Sequence, residues 1–336
     1  MADRRGTRWD AMTLRCAVAV LACIVPCSSY SADLSGTMPY PNRPIRLIVP
    51  FAAGSGGDFL GRLVGAKFAD VLGQPAIVEN RPGAAGNLAM EIAARAAPDG
   101  YTLVLGNAGT NTVNPSIYRT PGFDPVRSFV PISKLTTVPS VIVAGPASPV
   151  GTLEELVALA RREPGKLDYA TTGIGLTSHL AMATFAARAG ISLVHIPYAS
   201  SGLLKGVLAG EVPLACSAIE VVRENVKAGR LRALAVTGAR RVDSLPGTPT
   251  IAESGFPGFE VVSWYGILAP SGTPPEIVNR LHAALVRILH FPNVAEAITA
   301  AGQEVVGNSP EQFAAEILAD LARGRAIVDA LKIHVD

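Results

Sequence analysis

Ile45-Arg46-Leu47-Ile48-Val49-Pro50-Phe51-Ala52-Ala53-Gly54-Ser55-Gly56-Gly57-Asp58 is the stretch on which the fold turns. Residues 45–51 form a near-continuous apolar run, as expected of a strand covered on both faces, and such strands belong to parallel sheets flanked by helices. The loop 52–57 carries three glycines in four positions. Beyond it Leu60, Leu63, Val64, Phe68 and Val71 share one helical face, with Asp58 predicted as N-cap and Gly73 as stop. Strand, glycine-rich loop and helix make one βα unit.

The alternation continues along the chain. Strands are predicted at 76–78, 101–106, 138–144, 167–170, 193–197, 212–217, 231–237 and 260–268, and closing helices at 274–290, 293–301 and 310–331. Helix starts are marked by Thr152-x-x-Glu155 and by Ser309-Pro310-x-Gln312. The pattern predicts an α/β protein with mainly parallel sheets. No low-complexity tract or charged linker separates tandem domains. The boundary candidates are instead two extended apolar runs, 138–144 and 261–268, which suggests one domain interrupted by another, with a ligand cleft between them.

The N-terminus differs from the rest. Arg4, Arg5, Arg8 and Arg15 precede the wholly apolar run 16–25, and Ser29-Tyr30-Ser31 offers small residues at cleavage spacing. This order predicts a signal peptide over 1–31, export to the periplasm and a mature start near Ala32, with Met12 as an alternative initiator. Val20-Leu21-Ala22-Cys23 loosely resembles a lipoprotein box. Cleavage removes four of the 29 basic and two of the 27 acidic side chains, leaving 25 of each and no net charge. A neutral surface without a Lys/Arg run gives no footprint for nucleic acid. Of four cysteines only Cys216 lies beyond the predicted signal, so no disulfide or cysteine metal site is expected.

Three loops could carry chemistry. The first, 51–58, lets a ligand approach backbone and the first-turn N–H groups of a helix, which favour anions. It lacks the Lys of a phosphate loop. A rival reading makes Ser55 the nucleophile of a serine hydrolase, with a base from His179, His195, His282, His290 or His334; but no earlier strand and loop exist to build an oxyanion hole. The second loop, Thr171-Thr172-Gly173-Ile174-Gly175-Leu176-Thr177-Ser178-His179, offers hydroxyls and N–H groups that bind carboxylate oxygens without formal charge. The third, around Asn107 and Thr110, suits a polar pocket wall and an ordinary turn alike. Paired carboxylates, H-E-x-x-H and a dinucleotide glycine motif after a strand do not occur, so metals and nicotinamide cofactors have no support.

Several segments resemble the receptors of tripartite tricarboxylate transporters, the Bug proteins. They are Tyr40-Pro41-Asn42-Arg43-Pro44-Ile45-Arg46-Leu47-Ile48-Val49-Pro50-Phe51, Glu79-Asn80-Arg81-Pro82-Gly83-Ala84-Ala85-Gly86-Asn87, Ala97-Pro98-Asp99-Gly100-Tyr101-Thr102-Leu103 and His195-Ile196-Pro197-Tyr198. Residues 169–179, 228–236 and 268–274 continue the match at family spacing. The resemblance implies a periplasmic-binding-protein type II fold: two α/β domains, 40–137 plus 262–336 and 138–261, joined by two crossing strands. It implies a receptor without cofactor or catalysis, monomeric, serving the membrane subunits of a transporter or, alternatively, a sensor kinase's outer domain. The ligand would be a mono-, di- or tricarboxylate. Its expected contacts are Phe51, Ala52, Ser55, Gly56, Gly57 and Asp58; Asn107 and Thr110; Thr172, Gly173, Thr177, Ser178 and His179; and Ser217. The sequence departs from the family where Pro213 and Ser217 replace common aspartates, which weighs against an amine-bearing ligand. It also departs at Ala199-Ser200-Ser201 and around Arg323-Gly324-Arg325, where a tryptophan is usual.

Overall fold

A computed structural model describes residues 40–198 and 202–331. The predicted export segment with its three cysteines, Ala199-Ser200-Ser201 and His334 lie outside the described residues.

From Tyr40 onward the chain forms one compact unit built on a ten-stranded sheet. Strand β1 (Ile45–Val49) lies between β2 (Ala76–Asn80) and β3 (Thr102–Asn107), parallel to both. Ile45, Leu47, Ile48 and Val49 are fully buried. Arg46 fits this strand because its guanidinium pairs with Glu79 on β2. A second parallel group consists of β5 (Asp168–Thr171), β6 (Val194–Pro197) and β7 (Leu214–Ala218).

Antiparallel β4 (Phe129–Ala144) and β9 (Val262–Pro270) join the groups, in the order β2-β1-β3-β9-β4-β7-β5-β6. β8 (Arg232–Val236) and β10 (Glu304–Val305) also pair with β4. Strand β4 begins nine residues before the predicted 138–144. From Phe129 to Pro139 it pairs with β9, and from Ser140 to Ala144 with β7, so one strand runs through both groups. Pro131 and Pro139 hid its first part, since proline argues against a central strand, and the register shifts beside Pro131. Strand β9, which contains most of the second predicted run, pairs with β3 and β4, and just before it Val261 N–H donates to Thr237 O at 3.0 Å.

Helices cover both faces of each group, which is why the strands read as apolar runs. On the first group lie α1 (Gly56–Gly65), α2 (Phe68–Leu72), α3 (Asn87–Ala94), α9 (Pro275–Leu289), α10 (Pro292–Ala300) and α11 (Pro310–Leu331), with a π-helical turn Gly109–Val113 leading into α4 (Asn114–Ile117). On the second lie α5 (Leu153–Arg162), α6 (Thr177–Ala189), α7 (Leu203–Ala209) and α8 (Ile219–Lys227). The helix expected to run to Gly73 breaks at Ala66-Lys67 into α1 and α2, and Gly73 closes α2 in the left-handed region (φ 76°). At Ser309 the capping box is reciprocal: Gln312 N donates to Ser309 Oγ (3.3 Å) and Ser309 N to Gln312 Oε1 (3.0 Å). Before α5, Thr152 caps Glu155 N, whereas Glu155 reaches back one residue further, to Gly151 N.

Candidate ligand cleft

A cleft of about 920 Å³ opens where the chain leaves β1, β3, β5 and β7. In open α/β sheets this edge, at the carboxyl ends of the strands, is where ligands bind. Three helices of nine residues or more begin at its wall: α1, α6 and α8. Helices α6 and α8 start from Leu176 and Ala218, neither of which caps its helix through a side chain, so their first-turn N–H groups and positive dipole ends are open to an anion.

The N-cap of α1 is Ser55, in place of the predicted Asp58; its Oγ accepts from Asp58 N at 3.2 Å. The Asp58 carboxylate turns back under the loop, accepting from Gly54 N and Asn80 Nδ2 (2.8 Å each) and pairing with Arg62 (2.9 Å). Burial alone would raise this carboxyl, but the bonds from Arg62, Gly54 and Asn80 outweigh it and hold Asp58 below the usual carboxylate range. Asp58 therefore shapes the loop from behind.

Among the expected contacts, Phe51, Ala52, Ser55 and Gly56 line the cleft from β1's loop, and Asn107 from β3. Thr172, Thr177, Ser178 and Ser217 line it from the second group. Ser178 and Ser217 are buried, and neither hydroxyl has a hydrogen-bond partner among the described residues.

Five expected contacts are set back from the wall. A Cβ on Gly57 would run into the Phe51 ring, so that glycine faces inward. Asp58 is engaged as above. Thr110, fully buried, holds its turn through Asn107: its N–H donates to Asn107 Oδ1 (2.7 Å) and its Oγ accepts from Asn107 N (3.1 Å). Gly173 takes φ 154° behind Thr172, where Thr171 Oγ donates to its carbonyl at 3.1 Å. His179 Nδ1 accepts from Gly175 N at 3.1 Å.

His179 and His195 stack with ring centroids 3.9 Å apart, and His195 Nε2 lies 2.7 Å from Thr171 Oγ. Burial, then the neighbouring His195, pushes His179 down to about 4, and burial lowers His195. Because the unfolded chain binds protons that the folded stack refuses, stability should be flat above about pH 7 and fall as pH drops from about 6.5 towards 4. The loss is expected to be on the order of 2 kcal/mol. Urea midpoints across that range check it, with His179→Asn, which keeps an acceptor for Gly175, flattening the slope.

Ser55 Oγ serves as a helix cap, and no histidine hydrogen-bonds it among the described residues. Burial pushes the Cys216 thiol up to about 12.

Sequence reasoning missed two charged groups on the wall, Glu220 and Arg223, on the face of α8 that looks into the cleft. The signal was available: in a βα unit the first turn of the helix after a strand faces the strand's carboxyl end, and Glu220 follows β7 by two residues. Both lie outside the three loops and Ser217 from which ligand contacts were expected.

Two strand groups sewn by β4 and β9 around a cleft ringed with helix N-termini define a solute-binding protein of the periplasmic-binding-protein type II fold. The family described as tripartite tricarboxylate transporter family receptor matches residues 60–333, and the chain belongs to it. Protein BugT of Bordetella pertussis is 33% identical over 317 residues, 93% of this chain and 96% of its own length. Rpa4515 of R. palustris, solved with adipate, superposes with a TM-score of 0.79 at 33% identity, covering 88% of this chain and 99% of that one. MatC from Rhodopseudomonas palustris, with bound malate, gives 0.74 at 31% identity, covering 86% and 100%.

Proposed function

We propose that this protein is exported to the periplasm after loss of residues 1–31, captures a small carboxylate without transforming it, and presents it to the membrane subunits of a tripartite tricarboxylate-type transporter. The observation that carries the reading is the convergence of the N-termini of α1, α6 and α8 on one cleft, with Ser178 and Ser217 hydroxyls free at its wall. Oriented N–H groups and helix dipoles hold an anion at little desolvation cost. The adipate and malate bound by the two solved relatives support the same ligand class.

Segments 40–137 plus 262–336 and 138–261 act as the two jaws, hinged where β4 passes Pro139 and where the chain returns at Val261. A ligand touching both jaws stabilises the closed state by its differential affinity for it. A thermal-shift screen of mono-, di- and tricarboxylates tests the reading. A ligand at 100 times its Kd adds about 2.7 kcal/mol of apparent stability, a shift of several degrees. If no carboxylate moves the midpoint of the folded protein, the reading fails.

A further inference from the structure

Helix α6 has two apolar faces. Ala181, Met182, Phe185 and Ala189 pack into the core of the second strand group, whereas Leu180 joins a separate cluster with Val113, Ile117 and Val328. Those three partners all belong to the first group: Val113 ends the π-helical turn, Ile117 ends α4, and Val328 lies near the end of α11. All four side chains are buried, yet none of them lines the cleft. The loop before α6 joins the same contact. A Cβ on Gly175 would come within 3.1 Å of Ile117 and 3.4 Å of Val113, and one on Gly109 would meet Leu176 at 3.8 Å.

Nothing in the strand order requires this meeting. The π-helical turn and α4 follow β3, α6 follows β5, and β9, β4 and β7 lie between those strands, roughly 19 Å of sheet at the usual strand spacing. Helix α11 helps to span that gap. Phe313 and Ile317 root it in the core of the first group, Asp320 accepts from Trp264 Nε1, and Gly324 lets it run against the Thr112 carbonyl. Val328 continues this stripe at three- and four-residue spacing and is fully buried. The ion pair that joins the groups elsewhere, Arg240 with Glu304 at 3.0 Å, is of another kind: the Arg240 side chain is 74% exposed, and such a pair adds little. Separating the groups would return Leu180, Val113 and Ile117 to water, and burial of apolar surface opposes that.

We infer that α4 and the end of α11 form an apolar clasp that holds the second strand group against the first in the absence of ligand. A ligand then completes a closure that these side chains have begun, and its apparent affinity scales with the fraction of molecules already closed. The inference rests on the two-jaw reading above and adds to it a determinant of affinity outside the cleft.

Two measurements made without ligand test it. The first is a double-mutant cycle of Leu180→Ala and Val328→Ala in urea unfolding. With the clasp formed in the free protein, the two losses should fall short of additive by about fivefold or more in the unfolding equilibrium constant. The second is small-angle scattering of the wild type, Leu180→Asp and Val328→Ser. Position 180 lies in the first turn of α6, where an aspartate suits the helix dipole but has no counter-charge in an apolar contact. Leu180→Asp should therefore fold and open, with a larger radius of gyration than the wild type. Val328→Ser, the milder change from the other side, should move the radius in the same direction, and cooperative melting shows each variant folded. Additive losses in the cycle, or a wild type already as expanded as Leu180→Asp, overturn the clasp. Either result leaves the receptor reading untouched, since that reading stands or falls on the carboxylate screen.

Discussion

Replacing Trp264 with alanine is expected to lower stability by about 3–5 kcal/mol, the usual cost of removing a large aromatic from a core. Trp264 lies on β9, 2% exposed, with its ring edge-on to Phe313 of α11 at 5.0 Å and its Nε1 donating to Asp320 Oδ2 at 2.9 Å. Those two contacts fasten the last helix to the sheet. Trp264→Phe keeps ring packing and loses the hydrogen bond, so it should cost about 1–2 kcal/mol. Urea unfolding, with the slope checked for change, measures both. A loss under about 1 kcal/mol for the alanine variant would mean that the ring does not pack as described. The consequence extends to the cleft, because Gly324 of α11 sits so close to Thr112 O that a Cβ there would approach it to 2.8 Å. That turn follows Asn107 and includes Gly109, both on the cleft wall, so loosening α11 should also weaken ligand binding.

The βα units were legible in the sequence for a definite reason. Each central strand is covered on both faces, so residues such as Leu47, Leu103 and Ala215 had to be apolar in succession. The glycine-rich turns were legible because backbone approach and positive φ exclude most side chains, as at Gly54 (φ 83°). The first half of β4 was hidden by proline, and its place is fixed by pairing with β9, more than a hundred residues later. Side-chain direction was harder still. Thr110 and His179 are polar residues in the right loops, yet each turns inward to satisfy a backbone N–H of its own turn, that of Asn107 and that of Gly175. Glu220 and Arg223 looked like the ordinary charges of an amphipathic helix. The place of Glu220, two residues after β7, was a local sign that it nears the strand's carboxyl end, whereas the face of α8 that meets the cleft is set by β7 lying beside β4, a long-range fact.

Gly56→Ala is expected to weaken ligand binding five- to a hundredfold or more, the equivalent of about 1–3 kcal/mol of overpacking. Its neighbour Gly54 shows why the position matters. A Cβ at Gly54 meets nothing within 4 Å, and the strain there comes only from its left-handed backbone (φ 83°). A Cβ at Gly56 falls on the Glu220 carboxylate. Glutamate is flexible, and an isolated one would swing aside at small cost. This one is held by Gln303 and Tyr265, so displacing it breaks two hydrogen bonds and leaves a donor, Tyr265, buried without its acceptor. The collision should therefore appear in stability as well as affinity, and a double-mutant cycle with Glu220→Ala isolates it. In the Glu220→Ala background the Gly56→Ala step should become nearly neutral, giving a coupling of about 1–3 kcal/mol between residues on different strand groups. An equal cost in both backgrounds would show that the Gly56 effect arises within α1 itself, and the contact across the cleft would lose its support.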